Sequence, residues 1–219
     1  MTAADIISND LPVLQMTDTA AQALQYMEDN EVTELPLLND NKLVGLLRRD
    51  DLGELRPATP LHQCLDQADA SLVRPTDFFL VPLKLMHQRR LSMVPVVNDG
   101  RDFLGLVRAQ DLLHTVASYN AAAEPGGVII LQMTPTHFSI SEIGRIVESN
   151  DAKIIHLNTW TEPRSGLLMV AIKVNKNDIH DILASLERYE YEVVHYFGEN
   201  LSEEELRLNF DHLMNYLNI

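Results

Sequence analysis

The chain has 219 residues and a mass of 24.7 kDa, with 46% hydrophobic and 22% charged residues. That is enough for two or three small domains with real cores, and it excludes a disordered or fibrous protein. Seventeen basic residues against 32 acidic ones leave a formal net charge of -15, and both halves are acidic. Phosphate-backbone binding relies on clustered Lys and Arg that release counterions, so nucleic acid and anionic membrane surfaces are excluded as partners. No run of 18 apolar residues and no secretory leader is visible. The one cysteine, Cys64, rules out a disulfide within the chain, and the expected compartment is the cytoplasm.

In chain order, Thr17, Asp18 or Thr19 opens a helix, because a short oxygen side chain accepts from free backbone N–H groups. Ala20, Ala23, Leu24 and Met27 then recur at helical spacing. Leu35 to Leu38 is a short apolar strand, and Asn39-Asp40-Asn41 is a turn of residues that tolerate left-handed backbone. Leu43 to Leu47 is a second strand, and Asp50-Asp51-Leu52 opens another helix.

The same series recurs at an offset of 59 residues. Thr33-Glu34-Leu35-Pro36-Leu37-Leu38 aligns with Ser92-Met93-Val94-Pro95-Val96-Val97, Leu24 with Leu83, and Met27 with Met86. After one extra residue the offset is 60: Leu43-Val44-Gly45-Leu46-Leu47 matches Phe103-Leu104-Gly105-Leu106-Val107, Arg48 matches Arg108, and Asp51 matches Asp111. Pro82 falls inside the second copy's first helix and predicts a kink or a late start.

Residues 120–127, Asn-Ala-Ala-Ala-Glu-Pro-Gly-Gly, read as a linker. Val128 to Met133 is then a strand, and Ser139 or Ser141 caps a helix carrying Ile143, Ile146 and Val147. Lys153 to Thr161 and Leu168 to Val174 are strands around a hairpin loop, the second strictly alternating. Asn177 or Asp178 caps a helix with Ile179, Ile182, Leu183 and Leu186 on one stripe, and Val193 to Phe197 is the last strand. This βαββαβ order predicts a ferredoxin-like sandwich. Beyond it, Ser202 and Glu205 form a capping box for a helix striped by Leu206, Phe210, Leu213, Met214 and Leu217. That stripe would cover the sheet of its own domain or a dimer contact.

Two motifs occur in both copies: an h-P-h-h segment around Pro36 and Pro95, and Gly-h-h-x-x-x-Asp at Gly45–Asp51 and Gly105–Asp111. On these residues the first half resembles a tandem pair of CBS domains, a Bateman module. The resemblance implies two βαββα units about a pseudo-two-fold axis, with two clefts that in many members bind adenosine nucleotides or S-adenosylmethionine. Behind such a pair, the second half looks like an ACT domain, a module that senses small ligands, usually at a dimer interface. Many ligand-binding ACT domains place a glycine between the first strand and helix. Met133–Ser139 has none here, which argues against close backbone approach of an amino-acid ligand. The pairing of the two modules resembles bacterial acetoin-utilisation regulatory proteins. The expected fold class is α/β, more narrowly α+β. The expected division is 1–58 and 59–119 for the two CBS repeats, 120–127 for the linker, 128–198 for the ACT-like domain and 199–219 for the terminal helix.

The resemblance assigns the ligand-binding residues. Asp51 and Asp111 stand where the family bonds the ribose hydroxyls of an adenosyl ligand. They are equally well placed as helix-capping carboxylates. Three residues before each, where nucleotide-binding members carry Thr or Ser, both copies have arginine. Arg48 and Arg108 either accept an anionic ligand through the planar guanidinium, or fill the clefts by pairing with Asp50, Asp51 or Asp111. Leu35 and Val94 line an adenine slot or are plain core. The eight histidines show no metal-ligand spacing, and no catalytic constellation or resident cofactor is expected. The functional expectation is a non-enzymatic regulatory sensor, homodimeric, that binds an adenosine nucleotide or S-adenosylmethionine and acts on a regulated protein. The alternative is a structural module with empty, arginine-plugged clefts.

Overall fold

The computed structural model describes residues 1–198. It divides into two units, one spanning Met1–Tyr119 and one beginning at Asn120. The terminal helix expected from Ser202 to Leu217 lies outside the described residues.

In the first repeat of the first unit, β1 (Leu14–Gln15) is followed by α1 (Ala20–Asp29), β2 (Glu34–Asn39), β3 (Lys42–Arg48) and α2 (Arg49–Gly53). Thr19 is the residue that caps α1. Its hydroxyl accepts from the Gln22 N–H at 3.3 Å, and the Gln22 side chain accepts from the Thr19 N–H at 2.9 Å. The β2–β3 turn has Asp40 and Asn41 at φ 47° and 65°, the left-handed backbone these residues tolerate. Leu14 of β1 pairs in parallel with Leu37 of β2.

The second repeat keeps this plan with α3 (Leu80–Arg89), β4 (Met93–Val97), β5 (Phe103–Arg108) and α4 (Ala109–Tyr119). Its leading strand shrinks to one parallel bridge, Val73 to Val96, which is the Leu14–Leu37 pair moved on by 59 residues. Pro82 produces a late start rather than a kink. The helix begins at Leu80, so Pro82 is third in its first turn, where its missing N–H would have no helical acceptor.

The lead-in to each repeat crosses the hairpin of the other. Asp69, ahead of the second repeat, exchanges backbone hydrogen bonds with Leu46 of β3 at 2.8 and 2.9 Å. Ser8, ahead of the first, exchanges the same two bonds with Leu106 of β5 at 2.8 and 2.9 Å. Both crossings pass over the glycine of the repeated motif. A Cβ on Gly45 would lie 2.7 Å from the Asp69 carbonyl oxygen. One on Gly105, at φ +145°, would lie against Ile7 Cγ2 and 2.6 Å from Asn9 Oδ1. The hairpin tips are also joined, Leu43 N–H to Arg101 O at 3.0 Å and Phe103 N–H to Asn41 O at 2.8 Å. A division at residue 58 therefore follows chain order and not space. Ala3 is buried in the second repeat's core, and Leu46 of the first repeat joins it there beside Val73, Met93, Val94 and Leu106. The first repeat's core holds Leu14, Met27, Leu35, Leu47, Leu52 and Cys64. Burial pushes the Cys64 thiol up, as expected of a cysteine that acts as a small apolar residue.

The second unit runs β6 (Val128–Met133), α5 (Ile140–Glu148), β7 (Ile154–Thr161), β8 (Leu168–Val174), α6 (His180–Arg188) and β9 (Glu192–Phe197). The sheet order is β7-β8-β6-β9 with every neighbour antiparallel, which is the ferredoxin-like arrangement. Ile129 and Leu131 of β6, and Val170, Ile172 and Val174 of β8, face the apolar stripes of α5 and α6 in one core. Each such side chain stabilises by about 1.5–3 kcal/mol on burial. Ser139 caps α5 by accepting from the Glu142 N–H. At α6 the Asp178 carboxylate accepts from the His180 N–H, although Ile179 holds the capping position itself.

Where many ACT domains carry a glycine, a short 3-10 turn, Pro135–His137, fills the space between β6 and α5. The His137 ring stacks on Tyr191 with centroids 5.2 Å apart. Tyr191 is buried and donates to Glu142 Oε2 at 2.8 Å. Burial, then the Glu142 carboxylate, pushes its phenol up to about 12.

Two outcomes follow. Gly105→Ala should cost unit one roughly 2–4 kcal/mol, from added backbone strain plus overpacking. Gly53→Ala, whose Cβ meets nothing within 4 Å, should be neutral or slightly stabilising. Urea denaturation of both variants checks this, and equal effects would remove the crossing constraint. The second concerns Tyr191. Because the folded state holds that proton more tightly than the unfolded one, its contribution is complete below pH ~10 and is lost as pH rises toward about 12. Tyr191→Phe should flatten the fall in second-unit stability over that window. A fall identical to wild type would show that Tyr191 does not carry it.

Candidate functional site

The repeated motif sets two comparable clefts, each built from the end of one repeat's hairpin, the helix after it, the lead-in crossing that hairpin, and the end of the other repeat's first helix. Arg48 closes β3 and Asp51 lies one turn on, in α2. With Asp69 of the lead-in and Gln88, Arg89 and Arg90 at the end of α3, they line a cavity of about 410 Å³. A neighbouring hollow of about 530 Å³ runs along Ala68–Leu72, Leu85 and Arg89.

Arg48 does not pair with either Asp50 or Asp51. Its guanidinium donates to the Arg89 carbonyl oxygen at 3.0 Å and reaches Asp69 Oδ2 at 3.5 Å. Burial pushes the Asp69 carboxyl up. Hydrogen bonds from Ser71, together with the Arg48 and Arg89 guanidinium groups, outweigh that and hold it below the usual carboxylate range. The Asp51 carboxylate has no hydrogen-bond or ion-pair partner among the described residues. It opens α2, so the helix N-terminus favours its charge while leaving both oxygens available.

In the second cleft Arg108 turns inward. It meets Asp111 with two parallel bonds, Nε to Oδ2 at 2.8 Å and Nη2 to Oδ1 at 3.1 Å, and Asp10 lies 3.6 Å away. Hydrogen bonding to Asp111, then the charges of Asp111 and Asp10, hold its guanidinium proton more tightly than usual. The pair is three-quarters buried or more, with side chains 20% and 25% exposed, so solvent screens it less than a surface ion pair. One side of this cleft, about 480 Å³, is lined by Asp5, Ser8, Asp10, Asp111, His114 and Thr115. The other, about 380 Å³, is lined by Glu31, Thr33, Ser92, Met93 and Gln110. Arg108 borders both.

Of the residues singled out in the sequence, the structure brings Arg48 near Asp51 and Arg108 onto Asp111. Leu35 and Val94 are fully buried in the two repeat cores and line neither cleft. The lead-in carboxylates were not singled out, yet Asp10 and Asp69 are 59 residues apart and each faces its cleft's arginine. The repeat offset was the signal that marks them. Glu34 was missed as well. Its buried carboxylate accepts from the Ser92 hydroxyl at 2.9 Å and the Met93 N–H at 3.2 Å, tying the repeats together. Among the described residues no group of three His, Cys, Asp or Glu side chains is placed to hold a metal ion.

Comparison with known proteins agrees with this reading of the first unit. The family model for the CBS domain matches residues 3–56 and again 72–118. The chain is 28% identical over 117 residues to homoserine O-acetyltransferase of Methanobrevibacter ruminantium, covering 52% of this chain and 24% of that one. It is 23% identical over 130 residues to inosine-5'-monophosphate dehydrogenase of Methanocaldococcus jannaschii, covering 59% of this chain and 26% of that one. The chain thus spans about a quarter of the length of these curated relatives. Among solved structures, a CBS domain pair/ACT domain protein from Thermotoga maritima superposes with a TM-score of 0.50 at 18% identity. The match covers 54% of this chain and 98% of that one, which is a likeness of fold. Two copies of the family model, in the two repeats whose hairpins and clefts are described above, identify the first unit as a pair of CBS domains.

Proposed function

We propose that the chain is a regulatory module without catalytic activity of its own, in which the CBS pair binds an adenosine-type ligand and the second unit, read as ACT-like, relays the bound state to a regulated protein. The observation that carries this is Asp51: an unpartnered carboxylate at a helix start, facing an open cleft of about 410 Å³. A carboxylate can accept from both vicinal ribose hydroxyls, and this one needs no ion pair broken first. Relay works by linkage. A ligand that favours one arrangement of the two repeats shifts the population by no more than its differential affinity.

The similarity to homoserine O-acetyltransferase and inosine-5'-monophosphate dehydrogenase runs through CBS domains and brings no catalytic residue to this chain. No helix among the described residues is long and apolar enough to cross a membrane. A cytoplasmic location and a homodimer belong to this reading, and exposed Phe78, Leu80, Val81 and Leu113 on the first unit support the dimer. A light-scattering mass of one chain at micromolar concentration would remove that part.

A second reading holds for the other cleft alone. The bidentate Arg108–Asp111 pair occupies the carboxylate that would take the ribose, which favours a closed, structural role there.

Titration calorimetry with adenosine tests the proposal. Asp51→Ala should weaken binding by about tenfold or more, the loss of a hydrogen bond to a charged group. In a thermal-shift experiment, ligand at 100 times its Kd should stabilise by about 2.7 kcal/mol. If adenosine and its nucleotides all fail to bind at millimolar concentration, the structural reading applies to both clefts.

A further inference from the structure

The two clefts share a backbone plan but not a charge. Position by position, the end of α1 corresponds to the end of α3, so Asn30 and Glu31 match Arg89 and Arg90 at the offset of 59. The local backbone agrees: Glu31 and Arg90 both sit at left-handed φ, 54° and 55°. The side chains have opposite sign. The Asp51 cleft is lined by Arg48, Arg89 and Arg90 against Asp51 and Asp69. The Asp111 cleft has Arg108 against Asp5, Asp10, Asp111 and Glu31. Within the first, Arg48 is held by the Arg89 carbonyl and Asp69, so its charge is partly spent inside the protein. Arg89 and Arg90 are exposed and line the same cavity as Asp51.

We infer that Arg89 and Arg90 make the Asp51 cleft selective for a phosphate-bearing adenosine ligand, and that Glu31 and the carboxylates around Arg108 make the Asp111 cleft reject one. This rests on the reading of Asp51 as the ribose acceptor. A ligand anchored there by its ribose extends its 5' substituent within the reach of two guanidinium forks, which match phosphate oxygens in pairs. In the other cleft the same substituent meets a carboxylate where the first has a guanidinium, and like charges at close range repel. The cationic sulfonium of S-adenosylmethionine is disfavoured by the first cleft for the opposite reason. Phosphate recognition is therefore assigned to the far helix end, and not to the arginine of the repeated motif, which is engaged within the protein in both copies.

The experiment is titration calorimetry of the full chain with ATP, AMP and adenosine. The wild type should bind ATP at one site per chain, more tightly than adenosine. Replacing Arg89 and Arg90 by the residues the first repeat carries, Arg89→Asn with Arg90→Glu, should weaken ATP about tenfold or more and leave adenosine within about twofold. Both positions are exposed and Glu31 already adopts the left-handed backbone required, so the variant should fold; its melting curve verifies that. Two equal ATP sites in the wild type, or an ATP-to-adenosine ratio unchanged in the Arg89/Arg90 variant, would overturn the inference while leaving the adenosine site standing. Failure of adenosine and ATP alike would instead overturn the reading of Asp51 on which it rests.

Discussion

The first unit depends on a reciprocal crossing. Each repeat sends its lead-in across the hairpin of the other, at the one position on β3 and β5 where no Cβ stands in the way. Four backbone hydrogen bonds, two at each crossing, join Leu46 to Asp69 and Leu106 to Ser8. The glycine of the repeated motif is thus a requirement of assembly before it is anything else. Because each lead-in carries a carboxylate, the crossing also delivers Asp69 to Arg48 and Asp10 to Arg108. Neither cleft exists in an isolated repeat.

Within that shared frame the clefts have taken different electrostatic routes. Arg108 makes a close, partly buried pair with Asp111, and an ion pair of that kind is costly to break by removing one partner. Arg48 is drawn instead to Asp69 and to the end of α3, which leaves Asp51 without an ion-pair partner among the described residues. One substitution pattern at two equivalent helix ends, Asn30-Glu31 against Arg89-Arg90, then sets the sign of what each cleft attracts. Duplication gives two sites of one shape, and a few surface charges are enough to make them differ.

The elements were legible because their signals are local. Thr19 with Gln22, the Asn39-Asp40-Asn41 turn and the alternation of β8 each report backbone geometry within a few residues. The ferredoxin-like order of the second unit followed from the same kind of signal, and its sheet adds the strand order that spacing leaves open. The candidate site was half legible. The offset of 59 to 60 residues exposed Arg48, Arg108, Asp51 and Asp111, since they lie inside the repeated motif. The pairing of Arg108 with Asp111 was among the alternatives the sequence offered, whereas Asp10 and Asp69 share the repeat offset but reach the clefts only through a crossing between repeats. For Arg48 the carboxylate taken is the one the crossing delivers, Asp69, and for Arg108 the crossing adds Asp10 beside Asp111. Leu35 and Val94 were ambiguous between slot and core, and in this fold an apolar strand residue beside the proline packs inward.

Through the two crossings the two repeats form a single cooperative body. Native-state hydrogen exchange across a denaturant series measures this directly, since amides that open only on global unfolding merge to one free energy. The amides of Ser8, Leu46, Asp69 and Leu106 should exchange through the same opening as the β2–β3 and β4–β5 core strands. Exchange of Ser8 and Leu106 at a distinctly lower free energy than Leu46 and Asp69, with the first repeat still protected, would show two independent repeats and contradict it.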